Sequence, residues 1–295
     1  MTTNIIGIGY STLVTIAPML VVIAALIAME YVLGFSKVGY AERELFSCTL
    51  LYIFIFALLT ASPFNSVLSR YLSDIIYNET YADILPCYNL GLIINIAFSA
   101  LFGIPFCIRE VLVGGVDVIY VFTGYCGYMV LVLVFYSMLY LSICKDYKKI
   151  SLFFGIGMGI SFALSYVLVH AASWSVTYAM LFSITVGFLV TAALEFSVVR
   201  SYFRENSGNY RSVFSYFRQY WQLMVTNFLY SLCLFIHNFV FWTTDLRMVV
   251  AKSFVCVTAY DMATCLAMFT NISASVIFIS RVEMHFHARY KAYSE

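Results

Sequence analysis

The sequence predicts an all-α membrane protein that crosses the bilayer about eight times. Three observations lead there. Hydrophobic residues make up 63% of the chain and charged residues only 11%, with a mean hydropathy of +0.91, whereas soluble domains carry roughly a quarter charged residues. The apolar residues gather into long, nearly uncharged runs, each close to the ~20 residues that carry a helix across a bilayer. The short alternating segments of a membrane barrel are absent.

The runs are Gly9 to Leu33, Leu45 to Ser69, Cys87 to Ile108, Val118 to Cys144, Ile150 to Val169, Trp174 to Leu194, Gln219 to Thr243 and Val255 to Ser280. Pro18, Pro63 and Pro105 fall in or near span ends, where proline kinks a helix beside a cavity or is simply tolerated, as membrane helices allow. Gly155, Gly157 and Gly159 in the fifth run suit close helix packing. Glu30 and Glu195 stand at span ends, so snorkelling to water is the expectation for both. The stretch 196–218 contains Asn206, Ser207, Gly208 and Asn209 and reads as a cytoplasmic linker.

Basic residues set the orientation. Lys145, Lys148 and Lys149 follow the fourth run and Arg200, Arg204, Arg211 and Arg218 the sixth, so the positive-inside bias places both termini in the cytoplasm. These charges sit beside helix ends at near-zero net charge; they mark topology, and no nucleic-acid partner is expected. The first lysine is Lys37, so no basic n-region of a cleavable signal precedes the first run, and residues are expected to be missing ahead of Met1. The eight cysteines form no Cys-x-x-Cys pair and read as packing residues. His285 and His287 are two apart, which on a helix points them in different directions, so no metal site is expected. Neither a cofactor nor an enzyme activity is expected, because no hydrolase, metalloprotease or P-loop motif occurs.

Sliding the chain so that Ser69-Arg70 falls on Ser280-Arg281 lays the first run on the seventh and the second on the eighth. Val14 then meets Val225 and Thr15 meets Thr226; the hydropathy agrees better than the residues do. Such internal repeats are common in transporters. SRYLSDIIYNETYADIL and the closing ISRVEMHFHARYKAYSE become counterparts, each a cytoplasmic extension or interfacial helix with an apolar stripe. The expected organisation is a six-helix bundle over 1–195, a cytoplasmic linker over 196–218, and the first two helices of a second bundle over 219–295, a fragment of a longer transporter.

Ionisable groups inside a bilayer raise a functional question. His237 and Asp261 both lie about 9 Å below the outer boundary at 1.5 Å per residue, at a common depth. A hydrogen bond between adjacent helices is the preferred reading, and ion or proton coupling the alternative. Asn65, Asn95, Asn227, Asn238 and Asn271 are candidate polar residues of a cavity or, more simply, interhelical hydrogen-bonding groups. With 24 Tyr and 27 Phe, the chain has aromatic faces for sugar stacking, although aromatics also populate membrane interfaces. Arg70, Asp74, Arg281 and Glu283 line a cytoplasmic mouth, dock a partner, or form a solvated helix face.

GYSTLVTIAPML, FNSVLSRYLSDIIYNETYADILPCY, HNFVFWTTD and HARYKAYSE resemble the membrane transporter of the Pel exopolysaccharide system, the PelG family. That family is related to the multidrug, lipid-linked oligosaccharide and polysaccharide flippases. The resemblance implies a multi-pass protein of the bacterial inner membrane, with two six-helix bundles around a central cavity, exporting an amino-sugar polymer for the biofilm matrix. It also implies partners: the polysaccharide, membrane lipid, a cytoplasmic glycosyltransferase and other membrane subunits of the synthase complex. Family members begin with a short basic amphipathic segment and continue through four more helices, both absent here. A multidrug or lipid-linked oligosaccharide flippase is the alternative within transport, and a non-transporting scaffold or remnant the alternative of another class.

Overall fold

The computed structural model describes residues 2–144, 146–261, 263, 264 and 267, with side chains from residue 17 onward. Lys145, Asn271, Arg281, Glu283, His285, His287 and most of the eighth predicted span lie outside the described residues.

The chain is an all-α membrane protein. Among the described residues the helices are α1 (Thr2–Val32), α2 (Tyr40–Tyr77), α3 (Ile84–Leu112), α4 (Val118–Ile143), α5 (Tyr147–His170), α6 (Val176–Tyr202), α7 (Tyr210–Gln219) and α8 (Trp221–Phe241). Six of them are long and apolar enough to cross a membrane, namely α2 to α6 and α8, and the 31-residue α1 covers the first predicted span. In hydrocarbon every backbone polar group needs an internal partner, so helices form wherever the apolar run is long enough. Pro18, Pro63 and Pro105 sit inside α1, α2 and α3 without ending them. The predicted extension after Ser69 continues α2 without a break, so this helix is 38 residues long and projects beyond its apolar span.

α4 is the central element. Leu131, Val132, Val134 and Tyr136 are wholly buried, because α2, α3 and α6 surround this helix. α5 packs between α1 and α6. The α5–α6 crossing is close because two glycines face each other there: a Cβ on Gly157 would lie 2.5 Å from the Gly187 carbonyl oxygen, and one on Gly187 would lie 2.7 Å from the Gly157 oxygen. Gly155 and Gly159 face open space, so only the middle glycine of the predicted trio makes the crossing. α8 lies against α2 and leaves Leu229, Tyr230 and Val240 exposed.

The two ends of the bundle are finished differently. At the end carrying the α2–α3, α4–α5 and α6–α7 connections, most of 196–218 is helical, since α6 runs to Tyr202 and α7 begins at Tyr210. α7 buries Val213 completely and is tied to α2, with Tyr71 and Ser212 hydroxyls 2.7 Å apart and the Tyr71 and Tyr216 rings edge to face at 4.7 Å. At the opposite end, β1 (Met248–Val250) and β2 (Phe254–Cys256) form an antiparallel hairpin. Ala251 and Lys252 turn it with φ of 48° and 62°. Ser253 is then an extra residue against the register Val250↔Phe254, a bulge that aims its hydroxyl at the helices.

Candidate functional site

Aromatic residues at helical spacing build a cavity under this hairpin. Tyr52 and Phe56 of α2, Phe102 and Phe106 of α3, and Tyr125 and Tyr128 of α4 line it, and Phe254 of β2 helps to close it. Its volume is about 210 Å³, below the roughly 300–1,000 Å³ of pockets that enclose a drug-sized ligand; it suits one ring-sized group. The hydroxyls of Thr49, Tyr52, Tyr120 and Tyr128 are already engaged. Tyr128 donates to Thr60 Oγ1 at 3.1 Å and to the Ser99 carbonyl at 3.2 Å, and Tyr120 donates to Thr49 Oγ1 at 3.2 Å. What faces the space is therefore ring surface, the chemistry that stacks on the apolar face of a sugar.

One charged group borders the cavity. Glu110 is wholly buried; Arg109 Nη1 donates to its Oε1 at 2.9 Å, and Ser253 Oγ donates to its Oε2. The hairpin approaches here because residue 114 is glycine: a Cβ would lie 2.5 Å from the Glu110 carbonyl oxygen and collide with Ser253 Oγ. Tyr52 secures β2 by accepting from the Val255 amide at 3.0 Å and donating to the Val255 carbonyl at 2.7 Å.

The polar residues singled out in the sequence are distributed over several contacts. Asn238 is buried and donates to Asp261 Oδ1 at 2.8 Å, while Asp261 Oδ2 accepts from the Val257 amide at 3.0 Å. His237 packs edge to face on Tyr260, ring centroids 5.6 Å apart. The geometry thus gives Asp261 an asparagine partner and places His237 against an aromatic ring beside it. Asn227 reaches α2, donating to the Ser62 carbonyl at 2.5 Å. Asn95 is buried and donates to the Gly91 carbonyl one turn back in its own helix at 2.9 Å. Asn65 has its side-chain oxygen buried with no partner among the described residues. Asn65, Asn95, Asn227 and Asn238 do not line the aromatic cavity.

At the other end, Arg70 and Asp74 pair at 3.6 Å, Tyr216 of α7 donates to Asp74 Oδ2 at 2.9 Å, and Arg70 sits over the Tyr220 ring at 6.0 Å. Burial, then the hydrogen bond to Asp74 and its charge, push the Tyr216 phenol up. Nearby, Asp146 accepts from Tyr202 at 2.5 Å and pairs with Lys149 at 2.9 Å. Partial burial works against its ionised form, but these bonds and the lysine charge prevail and hold the Asp146 carboxyl below the usual carboxylate range. Glu195, expected to snorkel, is instead wholly buried with neither oxygen partnered among the described residues. It lies too far down α6, with buried Val199 a turn beyond it, to reach the end of the bundle.

The aromatic cavity was foreshadowed only as a general excess of Tyr and Phe. Its sequence signal is the i, i+4 pairing of Tyr52 with Phe56 and Phe102 with Phe106. Glu110 gave no signal, because its burial depends on a hairpin 143 residues away.

A family model described as "PelG: Putative exopolysaccharide Exporter (EPS-E)" matches residues 1–295. The chain belongs to the PelG family. Searches of curated proteins and of solved structures found no match. PelG membership, with several membrane-length apolar helices, makes this an integral membrane protein with a transporter role, in the setting of exopolysaccharide export.

Proposed function

We propose that the chain is a membrane subunit of a machine exporting a Pel-type amino-sugar polysaccharide to the biofilm matrix. It sits in the bacterial inner membrane with both termini in the cytoplasm. The observation that carries this reading is the family match over the whole chain. The distribution of basic residues supports the orientation, since Arg70, Lys148, Lys149, Arg204, Arg211 and Arg218 gather at the end carrying α7. The aromatic cavity supports a saccharide cargo, its rings offering stacking platforms that accept successive sugar units without holding them tightly. The α7 end, with Arg70 and Asp74, then faces the cytoplasm and receives the polymer from a glycosyltransferase and its membrane partners.

Deleting the gene and measuring cell-bound polysaccharide tests this. Export is expected to fall to background, to return with the wild-type chain, and to return only in part with Phe106→Ala or Tyr125→Ala. Full export by the deletion strain overturns the reading. His237 and Asp261 belong to a second arm, because a shared proton is one way to drive transport. If His237→Ala and Asp261→Asn both leave export unchanged, ion coupling at this pair is wrong and Asn238–Asp261 is a helix tether.

A further inference from the structure

Cys48 and Cys256 come from opposite parts of the chain, yet the contacts on either side bring them together, with Thr258 Oγ1 3.8 Å from Cys256 Sγ. On α2, Glu44, Cys48 and Tyr52 follow one another at four-residue spacing and so share a helix face. Thr258 donates to Glu44 Oε2 at 2.9 Å, and Val255 is bound at both its amide and carbonyl by Tyr52. Cys48 lies between the two α2 anchors, and Cys256 lies between their partners. Along β2, Phe254 and Cys256 point to the same face, and the Phe254 ring meets Tyr52 with centroids 5.4 Å apart. The two anchors accordingly set the cysteines side by side, and each residue is only 2% exposed.

We propose that Cys48 and Cys256 are a disulfide site that staples the hairpin to α2 as a fixed rim of the aromatic cavity. This rests on the orientation adopted above, which puts the hairpin end outside the cytoplasm, where disulfides form and persist. The oxidant is a protein disulfide donor of that compartment. The Cys256 thiolate attacks one donor sulfur, forming a mixed disulfide and releasing one donor thiolate. The Cys48 thiolate then attacks Cys256 sulfur, the intramolecular bond forms, and the second donor thiolate leaves. Two electrons reduce the donor, and the two thiol protons end on its sulfurs. Because the seated thiols are shielded, the exchange takes place before the hairpin docks, as the chain folds. The bond closes most of the protein into a single loop, the arrangement in which a cross-link most restricts the unfolded chain.

The test uses the full chain in native membranes, acid-quenched, alkylated under denaturing conditions, reduced, and then treated with a polyethylene-glycol maleimide. Two adducts are expected to appear only after reduction, and none in Cys48→Ser or Cys256→Ser. Peptide mass spectrometry of the unreduced wild-type chain should give the two cysteine peptides joined and two hydrogens lighter than their sum, which serves even where a serine variant folds poorly. A strain lacking the disulfide donor should yield the peptides separately. Free, alkylated Cys48 and Cys256 in the ordinary strain overturn the proposal, as do adducts that persist in the serine variants. Ser173→Cys, at the same end of the bundle, separates this from the orientation. Labelling by an impermeant maleimide from outside, with Cys48 and Cys256 free, removes the disulfide alone; no labelling removes the orientation and the disulfide together.

Discussion

Two wholly buried carboxylates, Glu110 near the end of α3 and Glu195 in the last two turns of α6, lie in opposite halves of the bundle. Glu110 receives Arg109 and Ser253. Glu195 receives nothing among the described residues, and Ala192, Thr191 and Val199 surround it along its own helix. Equal burial therefore has opposite energetic meaning. A partnered carboxylate holds two elements together, whereas an orphaned one lowers stability by about 1–3 kcal/mol per unsatisfied group. A protein retains such a burden where the group serves something other than folding.

Glu110→Ala should have the largest effect, because it removes the group on which the hairpin and α3 meet. Hydrogen bonds to charged groups are worth about 1.5–3 kcal/mol each. The Arg109 side chain is 54% exposed, so its share is reduced by solvent screening. A loss of about 2–4 kcal/mol is expected, measured as a fall in melting temperature in detergent, with the hairpin opened to protease. An unchanged melting temperature would mean that Glu110 and Glu195 are alike after all.

Gly114→Ala approaches the same contact from the other side. A methyl group there collides with Ser253 Oγ and the Glu110 carbonyl, and overpacking of this kind costs about 1–3 kcal/mol. The effect should concentrate in the hairpin: faster amide exchange in 248–256, with α5 and α6 unaffected. Uniform loosening of the bundle would show that the hairpin is not a separable element.

For Glu195 the sign reverses. Glu195→Met keeps the volume and removes two orphaned oxygens, so the melting temperature should rise, by about 1–2 kcal/mol in stability. A fall would reveal a partner for the carboxylate. A rise in stability accompanied by loss of polysaccharide export would assign the carboxyl a part in transport.

The contrast between these residues also marks where sequence reading stops. The spans that α2 to α6 and α8 occupy were legible, because about 20 apolar residues in a row have one low-energy solution in a bilayer. The register of burial around each helix was not, since helices as apolar as α4 and α6 carry no polar face to break the symmetry. Glu195 illustrates this: its place near a span end suggested water, and only the packing of α4 and α5 against α6 takes water away. α7 was hidden by the turn residues Asn206 to Asn209 beside it, although Val213, Tyr216 and Phe217 have helical spacing. The hairpin was hidden in turn by its unusual Ala251-Lys252 corner, where the common two-residue hairpin turns favour Asn-Gly or Asp-Gly.

The smallest expected effect lies at the α7 end, where Asp146 joins the start of α5 to the end of α6 through Tyr202. Its carboxyl is held below the usual range, so the folded state binds this proton less readily than the unfolded chain does. The stabilisation is accordingly complete above the unfolded pKa of about 3.9 and is lost as pH falls through the lower folded value. Melting curves between about pH 6 and 3, which bracket the carboxylate range, should show an acid-side decline that Asp146→Asn makes shallower. The difference should be slight, because the pair is partly exposed and screened, and it should shrink further at high salt. If Asp146→Asn leaves the acid limb as steep as that of the wild-type chain, the polar contacts of Asp146 contribute nothing measurable to holding α5 and α6 together.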